Sequence, residues 1–263
     1  MKATPVHLPV DLITDERLQR MAARLKLAFM RDHMLELMQT ATDAKMTPRK
    51  AMEYVLGKEV EQRDANRIKL ATMAAHFPRA CTLDEFDLAA QPAVDPGTIR
   101  KLAKMEWVAS GENVLFFGPP GVGKTHLEIA LGREAMKKGY SVLFITAAAL
   151  VNMLEKAKKE SMLNEKMAML SKPQLLIIDE VGYLPISTEN ANLFFQLVSR
   201  RYEHKSIILT NNRAINDWGV IFGDPTVATT ILDRLLHHCT PVTIMGDSYR
   251  LREAKKNKLL TGN

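Results

Sequence analysis

"GPPGVGKTH", residues 118–126, decides the reading of this chain. It fits the spacing G-x-x-x-x-G-K-[ST], with Gly118, Gly123, Lys124 and Thr125 in the fixed places. A turn this rich in glycine lets backbone N–H groups face phosphate oxygens, and a helix beginning at its lysine adds the positive end of a dipole. The flanks agree. "NVLFF", 113–117, reads as a short buried strand, and "KTHLEIALGREAMKKG" reads as a helix closing at Gly139. Gly118, Pro119, Pro120, Gly121, Val122, Gly123, Lys124, Thr125 and His126 are therefore the expected nucleotide cradle. Lys124 is expected to reach the β and γ phosphates, and the Thr125 hydroxyl to ligate Mg²⁺.

Working outward, "PQLLIID", 173–179, is a second apolar run that delivers Asp179 and then Glu180 to the same region. Asp179 is expected in the Mg²⁺ shell. Glu180 is expected to orient and deprotonate a water for attack on the γ phosphate, which implies hydrolysis. The guanine-reading N-K-x-D of switch GTPases and the L-S-G-G-Q of transporter ATPases are both missing from the sequence. ATP is therefore the expected nucleotide. "SIILTNN", 206–212, is a strand running into two amides. An amide placed there could hold the attacking water or sense the γ phosphate, or it could simply make a turn, which Asn favours.

Three of the strands are thus "NVLFF", "PQLLIID" and "SIILT"; "SVLFIT" (141–146) and "PVTIM" (241–245) complete the set. Continuous apolar strands alternating with helical stretches predict an α/β fold with a parallel five-stranded sheet flanked by helices. Upstream the character changes. From Leu18 to His76 the chain is rich in Met, Ala, Leu, Lys and Glu, and "LKLAFMRDHMLELM" has helical spacing. "HFPRACTLDEFDLAAQPAVDPG", 76–97, carries three prolines and reads as a connector. The expected organisation is a small helical N-terminal interaction domain (1–75), a linker (76–97) and an ATPase domain (98–263).

Composition narrows the class. The 263 residues are 46% hydrophobic, enough for a full core, and carry a net charge of +6, which permits an anionic partner such as DNA and equally fits an ordinary mildly basic protein. Cys81 and Cys239 lie far apart, giving no disulfide framework and no zinc spacing. No leader pattern or long apolar run is present, so a soluble cytoplasmic protein with no membrane partner is expected. "HHC", 237–239, offers three metal-ligating types in succession, but neighbours on a helix diverge, so no metal site is expected there. Trp107 and Trp218 read as packing residues, and the Met-rich N-terminal face as core or interface.

Together, "FFGPPGVGKTHLEIALG", "LLIIDEVGYL", "ILTNN" followed by Trp218, "ATTILDRLLHH" and "GDSYRLRE" resemble the IstB-like ATPases, the transposition helper proteins of bacterial insertion sequences. That family is a branch of the AAA+ initiator and helicase-loader clade, close to the DnaC loaders, and the resemblance runs along nearly the whole chain. It implies an AAA+ P-loop fold with the sensor strand between the two Walker strands. It implies Asn212 as the sensor amide, with Asn211 as the neighbouring candidate. Arg234 matches an arginine finger given to the ATP of an adjacent subunit, and Arg250 matches a sensor arginine on the nucleotide. Read without the resemblance, Arg234 is a surface partner of Asp233, and Arg250 part of a basic tail.

The resemblance also implies an ATP-dependent oligomer, largely sequence-nonspecific binding to duplex DNA, and a partner transposase. Within "AAALVNMLEKAKKESMLNEKMAMLSK", 147–172, Lys156, Lys158, Lys159, Lys166 and Lys172 could neutralise phosphates. Interleaved Glu155, Glu160 and Glu165 equally suit a solvated helix face. Where the family often carries a denser basic run, this chain has "EQRDANRIKLATMAAHFP", with Arg63, Arg67 and Lys69 as its early cations. The alternative client is a replicative helicase, as for a DnaC-like loader. A metabolic P-loop kinase, needing a phosphoryl acceptor in place of water, fits Glu180 and Arg234 less well.

Overall fold

A computed structural model describes residues 15–183 and 186–249. The chain divides into two compact units between Lys69 and Leu70.

The first unit is helical. Helix α1 (Asp15–Arg24) and helix α2 (Ala28–Asp43) form a close pair, and α3 (Pro48–Ala74) supplies most of the rest. No side chain of the preceding residues caps α2. Instead Glu59 of α3, 3% exposed, accepts the Met30 backbone amide at 2.9 Å and the Arg63 guanidinium at 2.7 Å. Burial alone would raise the Glu59 pKa, but these hydrogen bonds outweigh it and hold the carboxyl below its ordinary value. The Met-rich face is open to solvent: Met21, Leu35, Met38, Met52, Leu56 and Val60 are all exposed.

The second unit is built on five parallel strands, β1 (Asn113–Phe117), β2 (Val142–Thr146), β3 (Leu175–Val181), β4 (Ser206–Asn211) and β5 (Cys239–Thr243). Their order is β2-β3-β4-β1-β5, so the strand ending in the paired asparagines lies between the two that carry the phosphate loop and the acids. Alternation along β1 sends Leu115 and Phe117 to one face and Val114 and Phe116 to the other, and all four are buried. Helices α4 (Pro96–Ala103), α5 (Glu106–Ala109) and α6 (Lys124–Lys137) cover the second face. The first face is covered by α7 (Ala147–Lys159), α8 (Leu163–Ser171), α9 (Thr188–Arg201), α10 (Trp218–Ile221) and α11 (Pro225–His237). Local signals set their starts: Asp224 accepts the Thr226 and Val227 amides ahead of Pro225, and Asp95 does the same for α4.

Two strand readings shift. β5 begins at Cys239 rather than Pro241, because Pro241 sits on the sheet edge, where a missing N–H costs little. β3 runs on to Val181 with a register shift between Ile178 and Val181, and Glu180 in this bulge has φ of +63°.

Arg201 fixes the other end of the sheet. It is fully buried at the end of α9 and donates to the carbonyls of Leu170, Pro173, Gln174 and Ser206 at 2.7–3.3 Å. Burial lowers its pKa to about 9. Both tryptophans are packing residues: Trp218 is wholly buried, and the Trp107 indole donates to Leu102 O at 2.9 Å. Both cysteines are free, and burial pushes the Cys239 thiol up to about 12.

Candidate nucleotide site

The loop 118–123 leaves β1 and delivers Lys124 to the first turn of α6. Gly123 occupies the N-cap in the left-handed region, and no side chain caps the helix. A helix N-terminus with no side-chain cap from its N-cap residue is suited to an anion. Only glycine fits at position 123: φ is +105°, and a Cβ there would stand 2.7 Å from the Phe86 ring. Lys124 is 8% exposed, and its ammonium donates to Gly118 O at 2.7 Å and Pro119 O at 2.8 Å, holding the charge inside the loop.

Below the loop, β3 brings the acid. The Thr125 hydroxyl donates to Asp179 at 3.0 Å, which sets two hard oxygen donors side by side. Asp179 also accepts the Thr210 hydroxyl from β4. The Glu180 amide, turned out of the sheet ladder by the bulge, donates to Thr210 Oγ1 at 2.8 Å. Thr210 thus ties both acids to the central strand. Sequence reasoning quoted this threonine without giving it a task.

Glu128, one turn into α6, was also missed. It is fully buried, and among the described residues neither oxygen has a hydrogen-bond donor. Burial, followed by the negative charge of Asp179, drives its pKa well above the ordinary carboxylate value, which favours its protonated form.

The other expected residues are distributed as follows. Asn211 is wholly buried and points to the opposite face from Thr210, where its Oδ1 accepts the Arg213 amide at 2.9 Å. Asn212 is half-buried just beyond β4. Glu180 is exposed and lines a separate cavity of about 430 Å³ between the starts of α7 and α9, with Asn152, Tyr183 and Asn190. His126 lines the loop cavity, but its Nε2 is 2.7 Å from Thr82 O in the 76–97 segment. Arg234 lies on α11 with its guanidinium 4.5 Å from the centre of the Phe195 ring, and forms no ion pair with Asp233 among the described residues. Arg250 lies outside the described residues.

The charged helices behave as surfaces. Lys156 pairs with Glu160, Lys158 with Glu189 and Lys159 with Glu155. In the first unit Arg63 pairs with Glu59 and Arg67 with Asp64. Near the end of α11, His238 lies past the last helical turn, so the rings of His237 and His238 approach to 4.0 Å and meet Glu203. The divergence expected of helical neighbours does not apply to a residue outside the helix.

A cavity of about 220 Å³ adjoins the phosphate loop, walled by Gly121 to His126, by Phe86 and Gln91 of the connecting segment, and by Tyr249. The chain after β5 closes it, with the Tyr249 amide donating to Gly121 O at 2.9 Å. Hard oxygen donors below a glycine cradle, a buried ammonium and an adjoining cavity fit a magnesium-bound nucleoside triphosphate.

Comparison with known proteins agrees with this geometry. Residues 20–257 match the family model described as IstB-like ATP binding protein. A protein of Pseudomonas aeruginosa, named as an ATP-binding protein of insertion sequence IS21, is 44% identical over 94% of this chain and 93% of its own. A Geobacillus stearothermophilus protein, named for insertion sequence IS5376, is 41% identical over 91% and 96%. Among solved structures, replication initiator DnaA bound to AMPPCP and single-stranded DNA superposes with a TM-score of 0.56 at 22% identity. That match covers 70% of this chain and 56% of DnaA, and it bears on the fold alone.

Proposed function

The chain belongs to the IstB-like ATP binding protein family, and from that premise we propose that it is an ATP-hydrolysing, DNA-binding helper of transposition. In this reading it assembles on target DNA, recruits or stimulates a partner transposase through its helical N-terminal domain, and uses hydrolysis to control assembly and release. The observation that carries the enzymatic part is the 3.0 Å apposition of Thr125 and Asp179 beneath the uncapped start of α6. Lys124 leaves the Gly118 and Pro119 carbonyls for the β and γ phosphates. Thr125 and Asp179 hold Mg²⁺, which when bound neutralises charge on the phosphate oxygens. Glu180 orients and deprotonates the attacking water, and Asn212 holds it, because the Asn211 carbonyl oxygen is already committed to its own turn. Arg234, free of an ion pair with Asp233, acts on the nucleotide of an adjacent subunit, and Arg250 on its own.

Nucleotide held between subunits stabilises the oligomer, and the oligomer presents repeated cations to one DNA molecule. DNA affinity then depends on ATP, and DNA in turn tightens assembly. The insertion-sequence relatives favour a transposase over a helicase as client. The deciding experiment is a fluorescence anisotropy titration with ATP, ADP and no nucleotide, at two salt concentrations, on duplex and single-stranded DNA. The expected result is ATP-dependent, duplex-preferring binding that weakens steeply with salt. Equal affinity in every nucleotide state overturns the coupling, and a single-strand preference favours a helicase loader.

A further inference from the structure

Gln91 is 2% exposed, and among the described residues it is the one amide whose oxygen and nitrogen are both buried without a partner. Leaving such a group unpaired costs stability, so its presence calls for a reason. Its place supplies one. Gln91 forms part of the lining of the cavity beside Gly121, Gly123 and Lys124, and Phe86 and Tyr249 line it too. Its backbone is pinned in a turn, the amide donating to Leu88 O at 3.1 Å and the carbonyl accepting Val94 N at 3.0 Å. The chain opposite is kept bare: Gly246 has φ of +150°, and a Cβ there would come within 2.7 Å of Gln91 Oε1.

We infer that Gln91 is the residue that reads the base of the nucleotide whose phosphates Lys124 holds. An amide presents one acceptor beside one donor. Adenine answers with its exocyclic amine beside a ring nitrogen acceptor, so Oε1 accepts from the amine while Nε2 donates to the ring. A base lacking that amine leaves Oε1 buried and unpaired. Phe86 and Tyr249 offer flat apolar surface for the ring itself. The inference rests on the ATP-binding reading and adds to it a cause for base selectivity that the phosphate loop, which touches no base, cannot provide.

The test measures equilibrium binding of ATP and of purine riboside triphosphate, which is ATP without the exocyclic amine, to the full chain and to Gln91→Leu. The wild type is expected to prefer ATP by about 10- to 100-fold. Gln91→Leu should bring the two within about threefold, because it weakens ATP, which loses both hydrogen bonds, more than the amine-free analogue, which loses only the one to its ring. Thermal melting checks that the variant is folded, and Gln91→Met replaces it if it is not. A variant that keeps the full preference for ATP overturns the role of Gln91 and leaves the ATP-binding reading standing. A folded wild type that binds neither triphosphate overturns both.

Discussion

Glu128 on α6 and Asp179 on β3 place two carboxyl groups together at the foot of the phosphate loop, with Glu128 wholly buried. Because burial and the Asp179 charge raise the folded pKa of Glu128, the native state keeps a proton that the unfolded chain releases above the ordinary value of 4.5. Stability from this group is therefore intact below that value and is lost as pH rises toward the raised folded pKa. Glu128→Gln keeps the shape and a donor for Asp179 without the proton requirement. Melting of nucleotide-free protein across the pH range should show the variant gaining on the wild type as pH rises. A gap that stays flat with pH contradicts the buried neutral acid.

Thr210 is the tie between β4 and both acids. Thr210→Val preserves volume but removes the hydroxyl, so stability should fall by about 1–2 kcal/mol. ATP affinity should hardly change, and turnover should drop roughly ten- to a hundredfold as Asp179 and Glu180 lose position. Thr210→Ser should restore it. Wild-type turnover in the valine variant would remove Thr210 from the catalytic geometry.

Arg234 and Lys124 are proposed to serve the same nucleotide from different subunits. Arg234→Ala alone should leave ATP binding intact and cut assembly-dependent hydrolysis, for which supplied arginines are worth about 10³ to 10⁵. Mixed with Lys124→Ala protein, it should regain activity at interfaces that combine the two intact halves. Proven co-assembly without recovery would rule out action between subunits.

Arg201 offers a stability test away from the site. Arg201→Met fills much of the same space but strands the four carbonyls it binds. The loss should be about 3 kcal/mol or more, read as a lower denaturant midpoint. A midpoint unchanged from wild type would show that those carbonyls find other donors.

The fold was readable where chemistry is local. Five apolar runs named the five strands, and the glycine spacing named the loop, because sterics and hydrogen bonding within a few residues dictate both. The sheet order came from the family resemblance. What the sequence hid depends on contacts between distant segments. "KTHLEIALG" shows Glu128 as one more polar residue of a helix, and only packing of α6 against β3 makes it a buried acid. Nothing near Gln91 marks it as unpaired, since its neighbours Gly121 and Gly246 arrive from far along the chain. The two asparagines look alike in "LTNN", and they separate only when alternation along β4 turns Asn211 away from Thr210.

Each margin of the sheet has an edge donor removed. At β2 the Phe144 amide is taken by Ala75 O at 2.9 Å, so that edge donor is already used. At β5 Ile244 N donates inward to Phe117 O, so alternation turns the backbone nitrogen of position 241 outward, where Pro241 has no hydrogen to offer. A chain proposed to gather many copies of itself thus denies those copies the backbone ladder by which β proteins polymerise irreversibly. In the proposed assembly, copies that meet through side chains instead are ones that a single ligand can bring together and its departure can release.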